Sequence, residues 1–195
     1  MSLTTTPSPA GTRVAMARPA LRWLASFVGF PLGGLAAMLL VGPVDSTVAA
    51  VLGGLVTGSV LGTAQAVALR ADRRTAVRWV LATALGLTAG LTLGSGLVGF
   101  GTGLSDLALQ GAVSGALVGL AQALAIRATR LRRVGALAAA WPAYLAGAWA
   151  LGWTITTTSG VQVEDQFTVF GAAGAITVAV LTSVLPILLS RSTRR

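Results

Sequence analysis

Charged residues punctuate this chain at wide intervals, and between them run long stretches that are almost wholly apolar. These uncharged runs lie between Arg22 and Asp45, Asp45 and Arg70, Arg78 and Asp106, Asp106 and Arg127, Arg133 and Glu164, and Asp165 and Arg191. Each accommodates the roughly 20 apolar residues that a bilayer-spanning helix requires. Strand-like alternation is absent, and lipid offers no partner to a bare backbone N–H or C=O, so the runs predict six transmembrane helices. The expected fold class is an all-α integral membrane helical bundle.

Small and polar positions recur within these runs. The stretch GLVTGSVLGTAQAVALRADRR, from Gly54 to Arg74, is followed by GAVSGALVGLAQALAIRATRLRR, from Gly111 to Arg133. Pairing Gly58 with Gly115, Gly62 with Gly119, Gln65 with Gln122 and Arg70 with Arg127 needs no gap. Counting back from Arg191 gives a worn third copy, with Ala175, Ala179 and Ser183 at the glycine positions and Pro186 at the glutamine. The odd spans share their own pattern: Trp23, Gly29 and Gly33, then Trp79, Gly86 and Gly90, then Trp141, Ala148 and Gly152. The chain is thus expected to be three tandem two-helix repeats, 21–74, 75–133 and 134–195, in one transmembrane domain of residues 21–195. Residues 1–20 are rich in Ser, Thr and Pro and predict a disordered cytoplasmic tail. Because every hairpin would begin and end on the same side, the copies should be related by an axis along the membrane normal, as a pseudo-threefold ring of six helices.

Charge then orients the bundle. All 14 basic residues are arginines, and they fall before the first span, between spans two and three, between four and five, and after six. Asp45, Asp106 and the pair Glu164 and Asp165 occupy the alternate connections. Arginine-bearing loops face the cytoplasm, so both termini are expected inside, in a multi-pass protein of the plasma (inner) membrane. The net charge of +9 is then a topology signal, and the expected contact is with anionic headgroups of the inner leaflet. Nucleic acid is not an expected partner, since these arginines flank spans and form no patch with interleaved aromatics.

Residues four apart share a helix face. Gly54, Gly58 and Gly62 therefore make one smooth stripe, as do Gly86, Gly90 and Gly94, and Gly111, Gly115 and Gly119. Such stripes let helix backbones approach closely, within one chain or between chains. Gln65 and Gln122 lie near the same stripes, about one and a half turns inside the arginine boundary. A lone amide in hydrocarbon is costly, so each should bond a neighbouring helix, or line a vestibule on the cytoplasmic side and hold a small polar solute. Trp23, Trp79 and Trp141 fall where interfacial aromatic belts belong, as do Phe100 and Phe167 at the other side. Trp149, Trp153 and Tyr144 make span five the aromatic one, open to lipid or a partner. Pro31 is expected to kink span one and Pro186 span six, whereas Pro142 should be tolerated in the first turn of span five.

Chemistry is conspicuously under-supplied. His and Cys are absent and Met numbers three, so zinc, haem and thiolate sites lack their usual ligands. Serines and threonines have no base beside them, no P-loop or Rossmann pattern sits in a strand-turn-helix context, and no intramembrane carboxylate suggests a proton relay. The expectation is no enzyme, no metal and no cofactor. The repeated GxxxGxxQ followed by Arg, at Gly58, Gly62, Gln65 and Arg70 and at Gly115, Gly119, Gln122 and Arg127, resembles small uncharacterised bacterial polytopic membrane proteins with duplicated hairpins. That resemblance covers most of residues 21–195 and implies the multi-span fold without an activity. Three two-span hairpins are also similar in plan to mitochondrial carriers, whose proline-acid-base signature at odd-span ends is missing. Two functions remain: a non-catalytic scaffold or accessory subunit that acts through glycine-stripe association with a membrane-protein partner or a second copy, and a passive channel or facilitator along the pseudo-threefold axis.

Overall fold

The computed structural model describes residues 18–127, 135–160 and 169–192, and among these it is helical with no strand. The tail expected to be disordered lies outside the described residues up to position 17, as do Arg130, Arg132, Arg133, Glu164, Asp165, Phe167, Arg194 and Arg195. Five helices among the described residues are long and apolar enough to cross a membrane: α1, Arg18–Leu40; α2, Thr47–Ala68; α3, Arg73–Leu97; α4, Leu104–Arg127; and α6, whose spanning part is Ala172–Leu189. Between the last two runs α5, Gly135–Thr158, of 24 residues. Its length suffices for a bilayer, and Trp, Tyr, Pro and Thr residues interrupt its apolar run.

Local signals explain the boundaries. Ser46 accepts a hydrogen bond from the Ala49 N–H at 3.3 Å and so caps α2. Asp72 caps α3, accepting from the Thr75 N–H at 3.0 Å and the Thr75 hydroxyl at 2.9 Å. Those two bonds hold the Asp72 carboxyl below its ordinary value. At the other end of α2, Arg70 adopts φ 52°. Its N–H reaches the Val67 carbonyl while the Ala71 N–H reaches that of Ala66. This is a Schellman closure with arginine in the left-handed seat that glycine usually takes. The end of α3 repeats it: Gly99 and Phe100 have φ of 57° and 59°, and the Phe100 N–H bonds the Ser95 carbonyl at 2.8 Å.

Prolines mark the irregularities. Pro31 has no N–H for the Phe27 carbonyl, and the turn before it, Ser26–Val28, is a 3-10 turn. In α6 the helix Ala172–Thr182 breaks at Ser183 and resumes as Val184–Ser192, because Pro186 cannot donate to the carbonyl of Thr182. Pro142 departs from the expectation of a first-turn proline. It sits two turns inside α5, where its backbone packs on Gly119 and neighbouring helices hold the turn in place.

Consecutive helices are antiparallel neighbours, and α6 returns to pack on α1, so the six close into a ring. Three glycine stripes set the spacing. A Cβ placed on Gly54, Gly58 or Gly62 would stand 2.8, 2.6 and 3.0 Å from the Cα atoms of Thr88, Ala84 and Val80 on α3. On Gly86 and Gly90 it would stand 2.8 and 2.6 Å from the Cα atoms of Val118 and Ser114 on α4, and Gly94 faces Gln110 at 3.0 Å. Gly111, Gly115 and Gly119 face Trp153, Leu145 and Pro142 on α5. Each stripe is thus occupied by the next helix of the same chain. The perimeter is the reverse of a soluble protein's, since Leu39, Leu40, Val48, Val67 and Leu97 are each at least two-thirds exposed. Such a surface suits hydrocarbon and not water.

Candidate functional site: a polar axis in two layers

Along α2, α3 and α4 the residues facing the middle of the ring recur every four positions, so the interior is layered. At the arginine end lie Gln65, Thr83 and Gln122. One turn deeper come Leu61, Leu87 and Val118, each at most 1% exposed. Deeper again, toward the end that carries Asp45 and Asp106, lie Thr57, Ser114, Ser95 and Gln110.

The first layer is a connected lattice. Gln122 donates through Nε2 to Gln65 Oε1 at 3.1 Å and to Thr83 Oγ1 at 3.0 Å. The Trp79 indole N–H donates to Gln65 Oε1 at 3.0 Å, and that of Trp141 donates to Gln122 Oε1 at 3.0 Å. Both amide protons of Gln122 are therefore used, and its carbonyl oxygen is engaged as well. Gln65 is 8% exposed and Gln122 only 2%. The structure brings the two glutamines into direct contact across α3.

A third indole completes the ring. Trp23 Nε1 donates to Thr182 Oγ1 at 2.9 Å, tying α1 to α6. In each case a tryptophan at the start of an odd helix bonds a polar side chain near the arginine end of an even one. Pro186, which aligns with the glutamines, is buried and offers no donor or acceptor, and Thr182 one turn away takes the bond. Trp23 and Trp79 also meet edge to face, centroids 6.4 Å apart.

The tryptophans therefore do not form a lipid-facing belt. Trp23, Trp79, Trp141, Trp149 and Trp153 are all 1–3% exposed. Trp23, Trp79 and Trp141 stand near the arginine end, but their direction is inward, where each indole N–H finds an amide or hydroxyl acceptor. Trp149 and Trp153 likewise face no lipid. They join Phe30 and Phe170 in a cluster with centroids 5.0–6.0 Å apart. Tyr144 alone of that set stays near the surface, and its hydroxyl bonds the Leu181 carbonyl at 2.6 Å beside the break in α6.

The deeper layer is different. Thr57 bonds the Gly33 carbonyl at 3.1 Å, but Gln110 Nε2 and Oε1, Ser114 Oγ and Ser95 Oγ are buried without a hydrogen-bond partner. Gln110 and Ser95 are 0% exposed. Among the described residues no three His, Cys, Asp or Glu side chains gather as a metal site would require. An open apolar groove of about 380 Å³ runs along the seam of α1 and α6, lined by Leu24, Phe27, Ile176 and Val180 among others.

Several of these residues escape a reading of the motifs. Thr83 could have been found four positions after Trp79, on its face. Gln110 lies on the same stripe as Gln122, three turns earlier, and is a second amide inside an uncharged span. Asp72, the one acid at the arginine end, carries the cap signature of Asp followed three residues later by Thr. Comparison with protein-family models, with curated protein sequences and with solved structures finds no match to this chain.

Proposed function

We propose that this chain is a multi-pass protein of the plasma (inner) membrane, arginine end in the cytoplasm, that serves as a non-catalytic scaffold or accessory subunit. The observation that supports this over a conducting role is the connected arginine-end lattice, which takes both amide protons and the carbonyl oxygen of Gln122 and the carbonyl oxygen of Gln65. Gln65 and Gln122, the groups a cytoplasm-side vestibule would need, bond each other and the indoles of Trp79 and Trp141. The glycine stripes serve the fold of the single chain, which leaves association with a partner to the leucine- and valine-rich perimeter. A built-in threefold plan of hairpins agrees with the ring closure and with the three indole bonds.

The absence of cysteine makes a direct test available. Single substitutions Gln65→Cys, Gln122→Cys and Pro186→Cys are exposed to a small membrane-impermeant thiol reagent from the arginine side, with perimeter controls. The expected outcome is protection at all three. Fast labelling of both glutamine positions would replace the scaffold with a facilitator whose vestibule opens on that side. The facilitator reading has one observation in its favour, the unpartnered polar groups of the deeper layer.

A further inference from the structure

Among the described residues, Gln110 Nε2 and Oε1, Ser114 Oγ and Ser95 Oγ lie unpartnered in the half of the axis nearer Asp106, on two adjacent helices, together with Thr92 Oγ1 of α3. Gln110 and Ser114 are one turn apart on α4, and Ser95 sits beside Gly94 of α3, the glycine against which Gln110 packs. The amide of Gln110 bonds neither serine, and the serines bond nothing else. Thr88 on α3 turns back to the Ala84 carbonyl of the preceding turn, as Thr154 and Thr157 do on α5, whereas Thr92 Oγ1 on α3 is, like the two serines, buried without a partner. A backbone escape is thus open to Ser95 and Ser114 and is not taken. Buried polar groups are paired as a rule, and an amide orphaned in a low-dielectric interior would be strongly disfavoured.

We propose that Gln110, Ser114 and Ser95 form a binding site for a small neutral molecule that both donates and accepts hydrogen bonds. The donor set selects that chemistry. Gln110 supplies N–H and C=O side by side, and each serine can give or take, so an occupant with a hydroxyl or amide satisfies all of them without net charge. An ion is disfavoured, because the three side chains are neutral and no charged side chain is among them. Water meets the description, with the two to four polar partners a buried water needs, and so does a small polyol or amide. The apolar layer of Leu61, Leu87 and Val118 separates this site from the lattice at the arginine end. The inference stands whether the protein scaffolds or conducts.

Two measurements test it on the full-length protein. The first is radiolytic hydroxyl-radical footprinting in lipid nanodiscs, where bound water marks the side chains beside it. Leu107, one turn before Gln110, is expected to be modified several-fold faster than Leu61 and Leu87, leucines that are equally buried. The second is the thermal stability of Gln110→Met, a near-isosteric change. An occupied site loses partners and Tm falls by about 3 °C or more; an empty one is relieved of an orphaned amide and Tm rises. Labelling at Leu107 no faster than at Leu61 and Leu87, or a higher Tm in Gln110→Met, overturns the proposal. Stopped-flow light scattering of proteoliposomes with glycerol and urea then identifies the occupant. Solute entry that Gln110→Met abolishes assigns a passing polyol or amide, and labelling without solute entry assigns resident water.

Discussion

Glutamine and tryptophan occupy this interior for complementary reasons. An amide needs several bonds and an indole needs one acceptor, so a Gln carbonyl facing an indole N–H uses both groups where no water competes. Gln122 is the hub, since Gln65, Thr83 and Trp141 all depend on it. Gln122→Leu is expected to destabilise the bundle by about 2 kcal/mol, because the Trp141 N–H is left buried without an acceptor. Gln65→Leu should cost less, and the double variant less than the sum, since the bond between the two amides is lost in each single change. Unfolding in mixed detergent micelles titrated with SDS measures all three, and strict additivity would contradict the shared lattice. Nothing in the one-dimensional motif says which partner each glutamine takes. Spacing puts Gln65 on the glycine stripe; only the fold decides that Gln122 arrives across α3 to meet it.

At the scale of the helix, glycine and capping residues do separate work. Gly58 and Gly147 look alike in sequence, both being glycines inside long apolar helices. A Cβ at Gly58 would be 2.6 Å from the Ala84 Cα, whereas nothing lies within 4 Å of one at Gly147. Gly58→Ala must push two backbones apart and is expected to cost about 1–3 kcal/mol, while Gly147→Ala should gain up to about 1 kcal/mol from helix propensity. The same SDS titration reads both, and equal effects would contradict the packing described. Asp72 supplies a pH-dependent contribution to α3. Its folded-state pKa is depressed by the Thr75 bonds, so the cap's stabilisation is present above the ordinary carboxylate range near about pH 4 and is lost as pH falls through the folded value. Asp72→Ala should therefore lower Tm at pH 7, with the gap from the parent closing as the solution is acidified below that range. A gap that persists undiminished at low pH would mean that the carboxylate is not the cap.

At the scale of the whole molecule, the ring turns every tryptophan inward and leaves aliphatic side chains outside. Reconstituted in vesicles, the protein is expected to emit at short wavelength and to resist quenching by brominated phospholipids, because all five indoles are 1–3% exposed. Strong quenching would return Trp23, Trp79 and Trp141 to a lipid-facing belt. The closure of α6 on α1 through Trp23 and Thr182 also makes the last helix part of the fold and not an appendage.

The helical class, the presence of several helices long and apolar enough to cross a membrane and the layout of charge follow from the chain alone, because length and backbone satisfaction are conditions on each segment separately. Helix starts at Ser46 and Asp72 are likewise local, being one side chain bonded to an amide three residues on. Direction around the helix axis is another matter. Trp79 can face lipid or the ring with the same neighbours in sequence, and the choice falls inward because Gln65 and Gln122 wait there. The same holds for the glycine stripes, occupied by the next helix and not by a second chain, and for Gln110, whose isolation appears only once six helices surround it. Such pairings join residues distant in sequence through packing of the closed ring, and packing is what tertiary structure alone decides.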